Sequence, residues 1–253
     1  MNVLSACAIF KWEQPWLIEW IEYHRAVGVE HFTLYANEEA VRWEQSQSIL
    51  APYVEVGLVD LQQVAQTGQQ LPVYNQTIET MRGKTRWLAF IDLDEFLYPV
   101  QSDTVTEVLR EFEDCPALAV NWCSFGSSGF QKRPESTLKS FVYRGCEGWD
   151  LNRHVKSIVD PSKARAFVND PHRADVEGGT FDENRNPVSG PFKAYSAKHL
   201  RVNHYPIKSR QDFDEVKSKR GRADQSGIDS DPSYFLGYDR NEVFDDGIAR
   251  RFA

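Results

Sequence analysis

Two aspartates separated by one residue follow directly after an apolar run. Residues 87–91 (WLAFI) are apolar enough for a buried strand, and residues 92–95 (DLDE) come next. Because side chains alternate along extended chain, Asp92 and Asp94 are expected on one side, with Leu93 pointing into the core. Two neighbouring carboxylates repel each other unless a cation compensates their charge. The pair therefore predicts a divalent metal bound together with a diphosphate; the alternative is a solvated acidic turn.

The first half of the chain carries the alternating elements that must position this pair. Apolar runs predict strands at residues 3–10, 31–35, 54–59 and 86–91. Apolar residues spaced by three and four predict helices at residues 16–27, after a cap at Asn37, and at residues 74–81. Such alternation predicts an α/β fold with a mainly parallel central sheet and helices on both faces. Ligands of such sheets bind beyond the carboxyl ends of the strands, where Asp92 and Asp94 stand.

Local signals mark the ends of some of these elements. Gly28 follows the first helix, at a position where a helix end often needs glycine. Thr104 and Glu107 form a capping box at the start of a further helix. Beyond Ala117 the helices fade, and short strands alternate with glycine-rich turns. From Gly221 on the sequence is polar and predicts a loop. Without an internal repeat or a low-complexity linker, a single domain over residues 1–253 is expected.

Composition restricts the classes of partner. The 253 residues carry a formal net charge of −8, which argues against a nucleic-acid partner because phosphates select a basic surface. The four cysteines are far apart and form no CxxC pair, which predicts free thiols in a reducing compartment. The sequence contains neither a basic leader followed by an apolar stretch nor an apolar run of roughly eighteen residues. We therefore expect a cytoplasmic protein without a transmembrane segment.

Several segments, in order, resemble one group of enzymes. Residues 13–24 (EQPWLIEWIEYH) and 28–32 (GVEHF) resemble the opening of the family-92 and related family-2-like glycosyltransferases. Residues 87–96 (WLAFIDLDEF) resemble their DxDEF segment. The family's order continues at residues 125–129 (FGSSG), 156–159 (KSIV), 203–205 (NHY) and 219–221 (KRG). The resemblance covers roughly residues 3 to 222.

This resemblance implies a GT-A fold, a nucleotide-sugar donor such as a UDP-sugar, a divalent metal (Mn²⁺ or Mg²⁺) and an inverting displacement. Residues 1–115 would form the donor-nucleotide half, and residues 116–253 the acceptor half with its C-terminal loop. Asp92 would contact the donor's ribose or the metal, and Asp94 would ligate the metal. Tyr35 and Asn37 would contact the donor, although this chain has Ala36 where the family more often has an aspartate.

His204 is the second metal candidate that the resemblance supports, since GT-A enzymes often supply a late histidine. Imidazole combined with carboxylate suits manganese better than magnesium. The alternative is a strand histidine that is hydrogen-bonded to a neighbour. Lys156, Lys219 and Arg220 could offset the charge of a diphosphate, or lie on a solvated basic face. His172 could bind donor or acceptor, or be a loop histidine without a role.

An inverting transfer also needs a carboxylate that takes the proton of the acceptor hydroxyl. Asp170, Asp175, Glu177 and Asp182 in the second half are the candidates, with Asp170 and Glu177 placed first. The acceptor would be a saccharide or a lipid-linked saccharide of polysaccharide biosynthesis, and a lipid-linked acceptor would be met peripherally at the inner face of the membrane. The rival functions are a silent nucleotide-sugar or glycan-binding module of the same fold and a nucleotidyltransferase. The latter would need a glycine-rich basic loop after the first strand, and residues 11–15 (KWEQP) contain no glycine.

Overall fold

The computed structural model describes residues 1–221 and 231–252. Its strands are β1 (Asn2–Phe10), β2 (His31–Ala36), β3 (Val59–Gln63), β4 (Thr85–Phe90), β5 (Glu95–Pro99), β6 (Ala117–Ser124), β7 (Tyr143–Arg144), β8 (Val155–Val159), β9 (Ala164–Phe167), β10 (Ala174–Val176), β11 (Leu200–His204) and β12 (Val243–Phe244). Its α-helices are α1 (Leu17–Ala26), α2 (Ala40–Glu55), α3 (Gln70–Met81), α4 (Val105–Arg110), α5 (Thr137–Ser140), α6 (Arg210–Asp212), α7 (Ser218–Arg220), α8 (Pro232–Tyr238) and α9 (Gly247–Phe252). A π-helix, Phe213–Lys217, joins α6 to α7, and 3-10 helices cover Gln14–Trp16 and Asp150–Arg153.

Eight strands form one sheet in the order β3-β2-β1-β4-β8-β6-β11-β5. The pairs β3–β2, β2–β1, β1–β4 and β6–β11 are parallel. β8 runs antiparallel to β4 and β6, and β5 runs antiparallel to β11. Six of the eight strands therefore share one direction, and the predicted α/β fold with a mainly parallel sheet is confirmed. Two small antiparallel sheets, β9–β10 and β7–β12, accompany it.

Both faces of the sheet are covered by helices, as predicted. Alternate side chains of β1 face opposite sides because a strand has a period of two. Leu4, Ala6 and Ala8 belong to the larger core, together with side chains of α1, α2 and α4. Cys7 and Ile9 belong to a second core against α3. Burial of the strands on both sides explains why their sequences read as continuous apolar runs.

Some predicted elements are confirmed and others are wrong. Thr104 and Glu107 form the capping box of α4, and Gly28 has φ +105° at the end of α1. Of the strand predicted at residues 54–59, only Val59 lies in a strand, as the first residue of β3: α2 extends to Glu55, and Gly57 in the left-handed region (φ +69°) separates it from β3. A short apolar run does not distinguish a helix end from a strand.

Asn37 does not cap α2. Glu39 stands at the N-cap of that helix. The Asn37 amide instead donates to the carbonyls of Val64 and Gln66, at 2.8 and 2.7 Å. This bond ties the end of β2 to the loop after β3, because an asparagine side chain can satisfy loop carbonyls as well as helix ends.

The predicted C-terminal loop is also wrong in part. Residues 231–252 form α8, β12 and α9, whereas residues 222–230 lie outside the described part. Asp231 caps α8 by accepting from the Ser233 amide, and Pro232 occupies the first helical turn. These are ordinary helix-start signals. Within the described ranges, no helix is both long and apolar enough to cross a membrane.

Candidate active site

A pocket of about 270 Å³ opens at the carboxyl edge of the parallel strands. Its lining comes from the ends of β1, β4, β6 and β11, from the start of β8, and from the chain around α7 and α8. The lining residues are Ile9, Lys11, Glu13, Gln70, Asp92, Asp94, Trp122, Leu151, His154, Lys156, Pro171, His172, His204, Lys217, Arg220, Gly221, Tyr234 and Tyr238. Six of the predicted site residues are thus brought together: Asp92, Asp94, Lys156, His172, His204 and Arg220.

A tight turn at the end of β4 presents the two aspartates. The Glu95 amide donates to the Asp92 carbonyl at 3.0 Å, and the Asp92 amide donates to Glu95 Oε2 at 2.9 Å. The indole of Trp20 donates to the carbonyls of Asp92 and Glu95 from the core side. Leu93 is fully buried, as predicted. The chain here is a turn rather than an extended strand end, yet both carboxylates still reach the pocket.

Lys156 holds the first carboxylate. Its ammonium lies 2.7 Å from Asp92 Oδ2 and 3.4 Å from Glu95 Oε2, and the side chain is 1% exposed. Gln70 and Tyr74 donate to Asp92 Oδ1 at 3.1 and 3.2 Å. Burial raises the pKa of Asp92, but the Lys156 charge outweighs this and holds it below its ordinary value. Burial, with the neighbouring aspartates, raises the pKa of Glu95 to about 8.

Asp94 faces a second group of cations. Lys217 Nζ lies 3.4 Å from its Oδ2, and an Arg220 nitrogen lies 3.9 Å away. Arg220 also pairs with Glu13 at 2.5 Å. Burial raises the pKa of the Asp94 carboxyl, but Lys217 and the other cations around it hold that pKa below its ordinary value. Asp94 is therefore ionised at neutral pH.

His204 is the neighbour of Asp94 that could share a metal ion with it. Its Nε2 lies 3.8 Å from Asp94 Oδ1, and its buried Nδ1 has no hydrogen-bond partner among the described residues. Burial lowers the pKa of His204 to about 3, so the ring is neutral and able to ligate. No set of three His, Cys, Asp or Glu side chains in residues 1–221 and 231–252 could hold a metal. The residues present fit a two-ligand site, which magnesium-type ions complete with substrate phosphate oxygens.

Three histidines pack around the ring of Trp122. The centroid distances to His154, His172 and His204 are 4.6, 5.2 and 4.1 Å. Nδ1 of His154 contacts the Leu151 carbonyl and Nδ1 of His172 contacts the Val155 carbonyl, so these nitrogens carry the protons. Burial, with the nearby Lys156 charge, lowers the pKa of His172 to about 3. Its Nε2 is therefore an unprotonated acceptor at neutral pH.

The charges of the lining suit an anion. Lys11, Lys156, Lys217 and Arg220 outnumber the acidic lining residues Glu13, Asp92 and Asp94, although the whole chain is acidic. The histidines add no charge while they are neutral. Fixed cations in a concave, partly dry site attract phosphate far more strongly than exposed lysines do.

Three predicted donor residues lie outside the lining. Tyr35 is 2% exposed, packs in the core against α3, and lies 3.0 Å from the Thr77 hydroxyl. Asn37 is held by the loop carbonyls described above. Lys219 is exposed, whereas Lys217 and Arg220 face the pocket. The π-helix Phe213–Lys217 changes the residues per turn, so the face that a regular helix predicts is displaced.

The four candidate bases are also absent from the lining. Asp170 accepts the His172 amide at 2.7 Å and so shapes the turn that carries this histidine. Asp175 pairs with Arg165, and Glu177 is exposed beyond β10. Asp182 accepts the amides of the turn that follows it. In the structure these carboxylates therefore stabilise turns or lie at the surface.

Several lining residues were not predicted. Glu13 stands in the resembling segment 13–24, but nothing in the sequence around it indicates a role. Trp122 lies in a buried strand and looks like an ordinary core residue by its sequence. Tyr234 and Tyr238 come from the segment predicted as loop, where the sequence Asp231-Pro232 and the spacing of four between the tyrosines were signals of a helix.

Comparison of the sequence with known protein families gives a match over most of the chain. The family described as glycosyltransferase family 92 matches residues 3–226. The chain belongs to glycosyltransferase family 92. Among its relatives is "Galactan beta-1,4-galactosyltransferase GALS3" of Arabidopsis thaliana, 30% identical over 74% of this chain and 37% of that protein. A glycosyltransferase family 92 protein of Ricinus communis is 25% identical over 86% of this chain and 38% of that protein. This chain thus spans well under half the length of both relatives.

One solved structure with a partial likeness is TarS 1-349 of S. aureus in complex with UDP. Its TM-score is 0.42 and its identity 11%, over 63% of this chain and 47% of that chain. GalNAc-T7 with UDP, GalNAc and Mn2+ has a TM-score of 0.41 and 9% identity, over 81% of this chain and 44% of that chain. Both likenesses have TM-scores below 0.5 and leave part of each chain uncovered.

Proposed function

We propose that this family-92 chain is a metal-dependent inverting glycosyltransferase. It would move a sugar from a UDP-sugar to a hydroxyl of a saccharide or lipid-linked saccharide. The observation that supports this most is the convergence of Asp92, Asp94 and His204 with Lys156, Lys217 and Arg220 in one pocket. Transfer from a nucleotide sugar leaves a diphosphate, and the pocket holds both the cations and the metal-ligating groups that such a leaving group requires.

The donor diphosphate is assigned to the centre of the pocket. Lys217 and Arg220 would bind its oxygens, while Asp94 and His204 would hold a divalent ion, manganese by preference because one ligand is imidazole. When bound, this ion would neutralise the charge that develops on the departing nucleotide. Lys156 keeps Asp92 ionised and fixed, so that Asp92 can accept hydrogen bonds from the donor's ribose. The nucleoside would then lie toward Ile9 and Gln70.

Inversion follows from the opposite sides that donor and acceptor must occupy. An in-line displacement requires the acceptor hydroxyl to approach the anomeric carbon from the side away from the diphosphate. The groups of the second half of the chain, Trp122, His154 and His172, would form that side of the pocket. A galactosyl donor and β-1,4-linked galactose acceptors are the first substrates to test, because the name of the Arabidopsis relative gives this chemistry for that protein.

A silent sugar-binding module of the same fold is the second candidate. The absence of Asp170, Asp175, Glu177 and Asp182 from the pocket lining favours it, since all four expected bases are elsewhere. Hydrolysis of a donor separates the two candidates, because a binding module would hold UDP without cleaving a UDP-sugar. In either case the compartment proposed is the cytoplasm, with contact at a membrane surface if the acceptor is lipid-linked.

Donor and metal binding test the assignment of Asp94 and His204. UDP affinity, measured by calorimetry, should rise when Mn²⁺ is added. Asp94→Asn should abolish transfer, and His204→Ala should weaken Mn²⁺ binding in the presence of UDP by a factor of about 10 to 100. The melting temperature of the metal-free Asp94→Asn protein should fall, because Lys217 loses its carboxylate partner, so transfer is compared at a temperature at which both proteins are folded.

The matched control is Asp175→Asn, which alters a half-exposed carboxylate paired with Arg165 outside the pocket. It should bind UDP and Mn²⁺ like the unchanged protein. Full transfer by Asp94→Asn, or full transfer in the presence of a strong chelator, would remove the metal from the proposed mechanism.

A further inference from the structure

A pair of tyrosines on α8 forms one wall of the pocket. Tyr234 and Tyr238 are four residues apart and therefore lie on the same face of the helix. Their rings are stacked, with centroids 4.3 Å apart and an interplanar angle of 19°. Both line the same pocket as Asp94 and His204. The metal and donor assignments above give them no role.

The core side of α8 holds these rings in place. Phe235 is buried in a small cluster with Ile207 and Phe213, and the two tyrosines pack against that cluster. Arg210 lies over the Phe235 ring at 5.0 Å. Leu236, on another face of the helix, is 71% exposed. The helix is thus anchored on this apolar cluster and turns a pre-formed aromatic surface toward the pocket, which lowers the entropic cost of binding there.

The position of the pair along the pocket separates it from the nucleoside end. Tyr238 packs edge-on against Trp149, with centroids 5.9 Å apart. Trp149 leads into the 3-10 helix Asp150–Arg153, and the same stretch brings Leu151 and His154 to the lining. Ile9 and Gln70, at the nucleoside end, come from β1 and α3 instead. The tyrosines therefore adjoin the second-half residues that the proposed function assigns to the acceptor side of the pocket.

We infer that Tyr234 and Tyr238 form a subsite for a sugar ring of a saccharide acceptor. The inference rests on the proposed function and adds the part of the molecule that selects the acceptor. Aromatic rings offer a flat apolar surface to the C–H face of a pyranose. The family match ends at residue 226, before α8 begins. The subsite is therefore a feature of this chain beyond the matched segment, and it distinguishes acceptors without altering the donor machinery.

Transfer kinetics with separate donor readouts test this inference. The acceptors are β-1,4-linked galactose saccharides from the monosaccharide to the hexasaccharide, with UDP-galactose as donor. Tyr238→Ala and Tyr234→Ala should raise KM for the best acceptor at least about tenfold, since each removes a packed ring from a binding wall. The Kd for UDP and the rate of donor hydrolysis should stay within about twofold. Leu236→Ala, on the exposed side of the same helix, is the matched control and should change none of these values.

Each outcome bears on a different statement. Unchanged KM in both tyrosine variants, or a tenfold loss of UDP affinity in them, would overturn the acceptor subsite and leave the proposed function standing. Donor hydrolysis without transfer to any saccharide in the series would also overturn it. An unchanged protein that neither binds UDP nor hydrolyses the donor would instead contradict the proposed function itself.

Discussion

Each aspartate of the pocket already has a cation beside it. Lys156 lies 2.7 Å from Asp92, and Lys217 lies 3.4 Å from Asp94. A buried charge pair of this kind is costly to break on one side only, because the remaining charge is left uncompensated. A diphosphate that enters the pocket would compete for Lys217 and Arg220, while Lys156 is held between Asp92 and Glu95. We therefore expect Lys156 to keep its partners when the donor binds.

For the proposed transfer, we take His172 as the candidate group that would accept the proton of the acceptor hydroxyl, because it lines the pocket and the four carboxylates predicted for this role do not. Its Nδ1–H donates to the Val155 carbonyl at 3.1 Å, which leaves Nε2 as an acceptor. Burial lowers the pKa of His172 to about 3, so Nε2 is free of a proton at neutral pH. The low pKa makes it a weak base in the absence of ligand, and the negative charge of a bound diphosphate would raise it.

A substitution that keeps the Val155 contact tests this role. His172→Asn can still donate to that carbonyl but lacks a basic nitrogen, so turnover should fall by about 10² to 10⁴ while the Kd for UDP persists. Asp170→Asn and Glu177→Gln are the comparisons, and both should keep turnover within about fivefold. Loss of turnover in either carboxylate variant, with His172→Asn active, would return the base to the acids predicted from the sequence.

For single residues, the sequence predicted membership of the pocket best where the residue lies in or next to a strand. Asp92, Asp94, Lys156 and His204 all reach the pocket because each lies on or directly after a strand whose edge is fixed by the sheet. His172 and Arg220 also reach it, although neither lies in a strand. Lys219 does not, since the π-helix before it displaces the pocket-facing side by a fraction of a turn. Loop carboxylates such as Glu177 could not be placed, because no periodic pattern determines where a loop side chain points.

His24 joins the first helix to the strand that follows the acidic turn. Its Nδ1–H donates to the Trp20 carbonyl at 2.8 Å, and its Nε2 accepts the Leu97 amide at 3.2 Å. The ring also stacks on Phe96, with centroids 5.6 Å apart. Both nitrogens are used only if the ring is neutral, and burial lowers the pKa of His24 to about 3. Protonation would therefore break the contact between α1 and β5.

The free energy of unfolding should depend on pH through this residue. In the unfolded chain a histidine has a pKa of about 6.5. The contribution of neutral His24 is complete above that pH and is lost as the pH falls toward 3, because only the unfolded chain takes up the proton. The expected slope approaches 1.4 kcal/mol per pH unit between roughly pH 6 and pH 4.

Urea unfolding of the unchanged protein and of His24→Gln measures this slope. His172 and His204 titrate in both proteins, so their contributions cancel in the difference. The variant should be less stable at pH 7 but should lose less free energy of unfolding on acidification. Equal slopes in the two proteins would mean that His24 takes up its proton without breaking the contact.

The elements were predictable where a long pattern specified them. α1, β4 and the capping box of α4 follow from periodic apolar spacing and paired polar ends. The prediction of the boundary between α2 and β3 was wrong because residues 54–59 are mostly apolar yet partly solvent-exposed, with Val56 at 75% exposure. The order of the strands in the sheet could not be predicted from the sequence pattern. β8 and β5 are antiparallel to their neighbours, and these pairings join residues that are far apart in the sequence.

The C-terminal segment closes the second half of the molecule. Asp239 and Asn241 accept the amides of Ser127 and Ser128, at 2.8 and 2.9 Å. Asp245 pairs with Arg144 at 2.7 Å and with Arg201 at 2.9 Å. The loop at residues 126–129, which resembles a family segment, thus binds the chain's own C-terminal part. Contacts between residues so far apart in the sequence cannot be predicted from local sequence periodicity.

Gly126 permits this contact, and its substitution should release it. A Cβ atom at Gly126 would stand 2.5 Å from the Arg240 carbonyl oxygen and 2.6 Å from Asn241 Oδ1. The first of these is backbone and cannot move aside without displacing residues 239–241, so Gly126→Ala should cost about 1–3 kcal/mol of stability. Hydrogen exchange measured by mass spectrometry should then become faster across residues 232–252 and the loop at 126–129. Because the proposed nucleoside contacts Ile9 and Gln70 stand on β1 and α3 and not on the released segment, the Kd for UDP should stay within about threefold.

Gly148→Ala is the matched control, since a Cβ there meets nothing within 4 Å. It should leave exchange in residues 232–252 unchanged, which separates the steric effect at Gly126 from the general effect of replacing a glycine. Release of the segment should also raise KM for a saccharide acceptor in Gly126→Ala, because Tyr234 and Tyr238 lie directly before Asp239 and Asn241. Exchange in Gly126→Ala that matches the unchanged protein would show that the C-terminal segment is held in place without this contact. Faster exchange with an unaltered acceptor KM would show that α8 keeps its position at the pocket through its packing on Ile207 and Phe213.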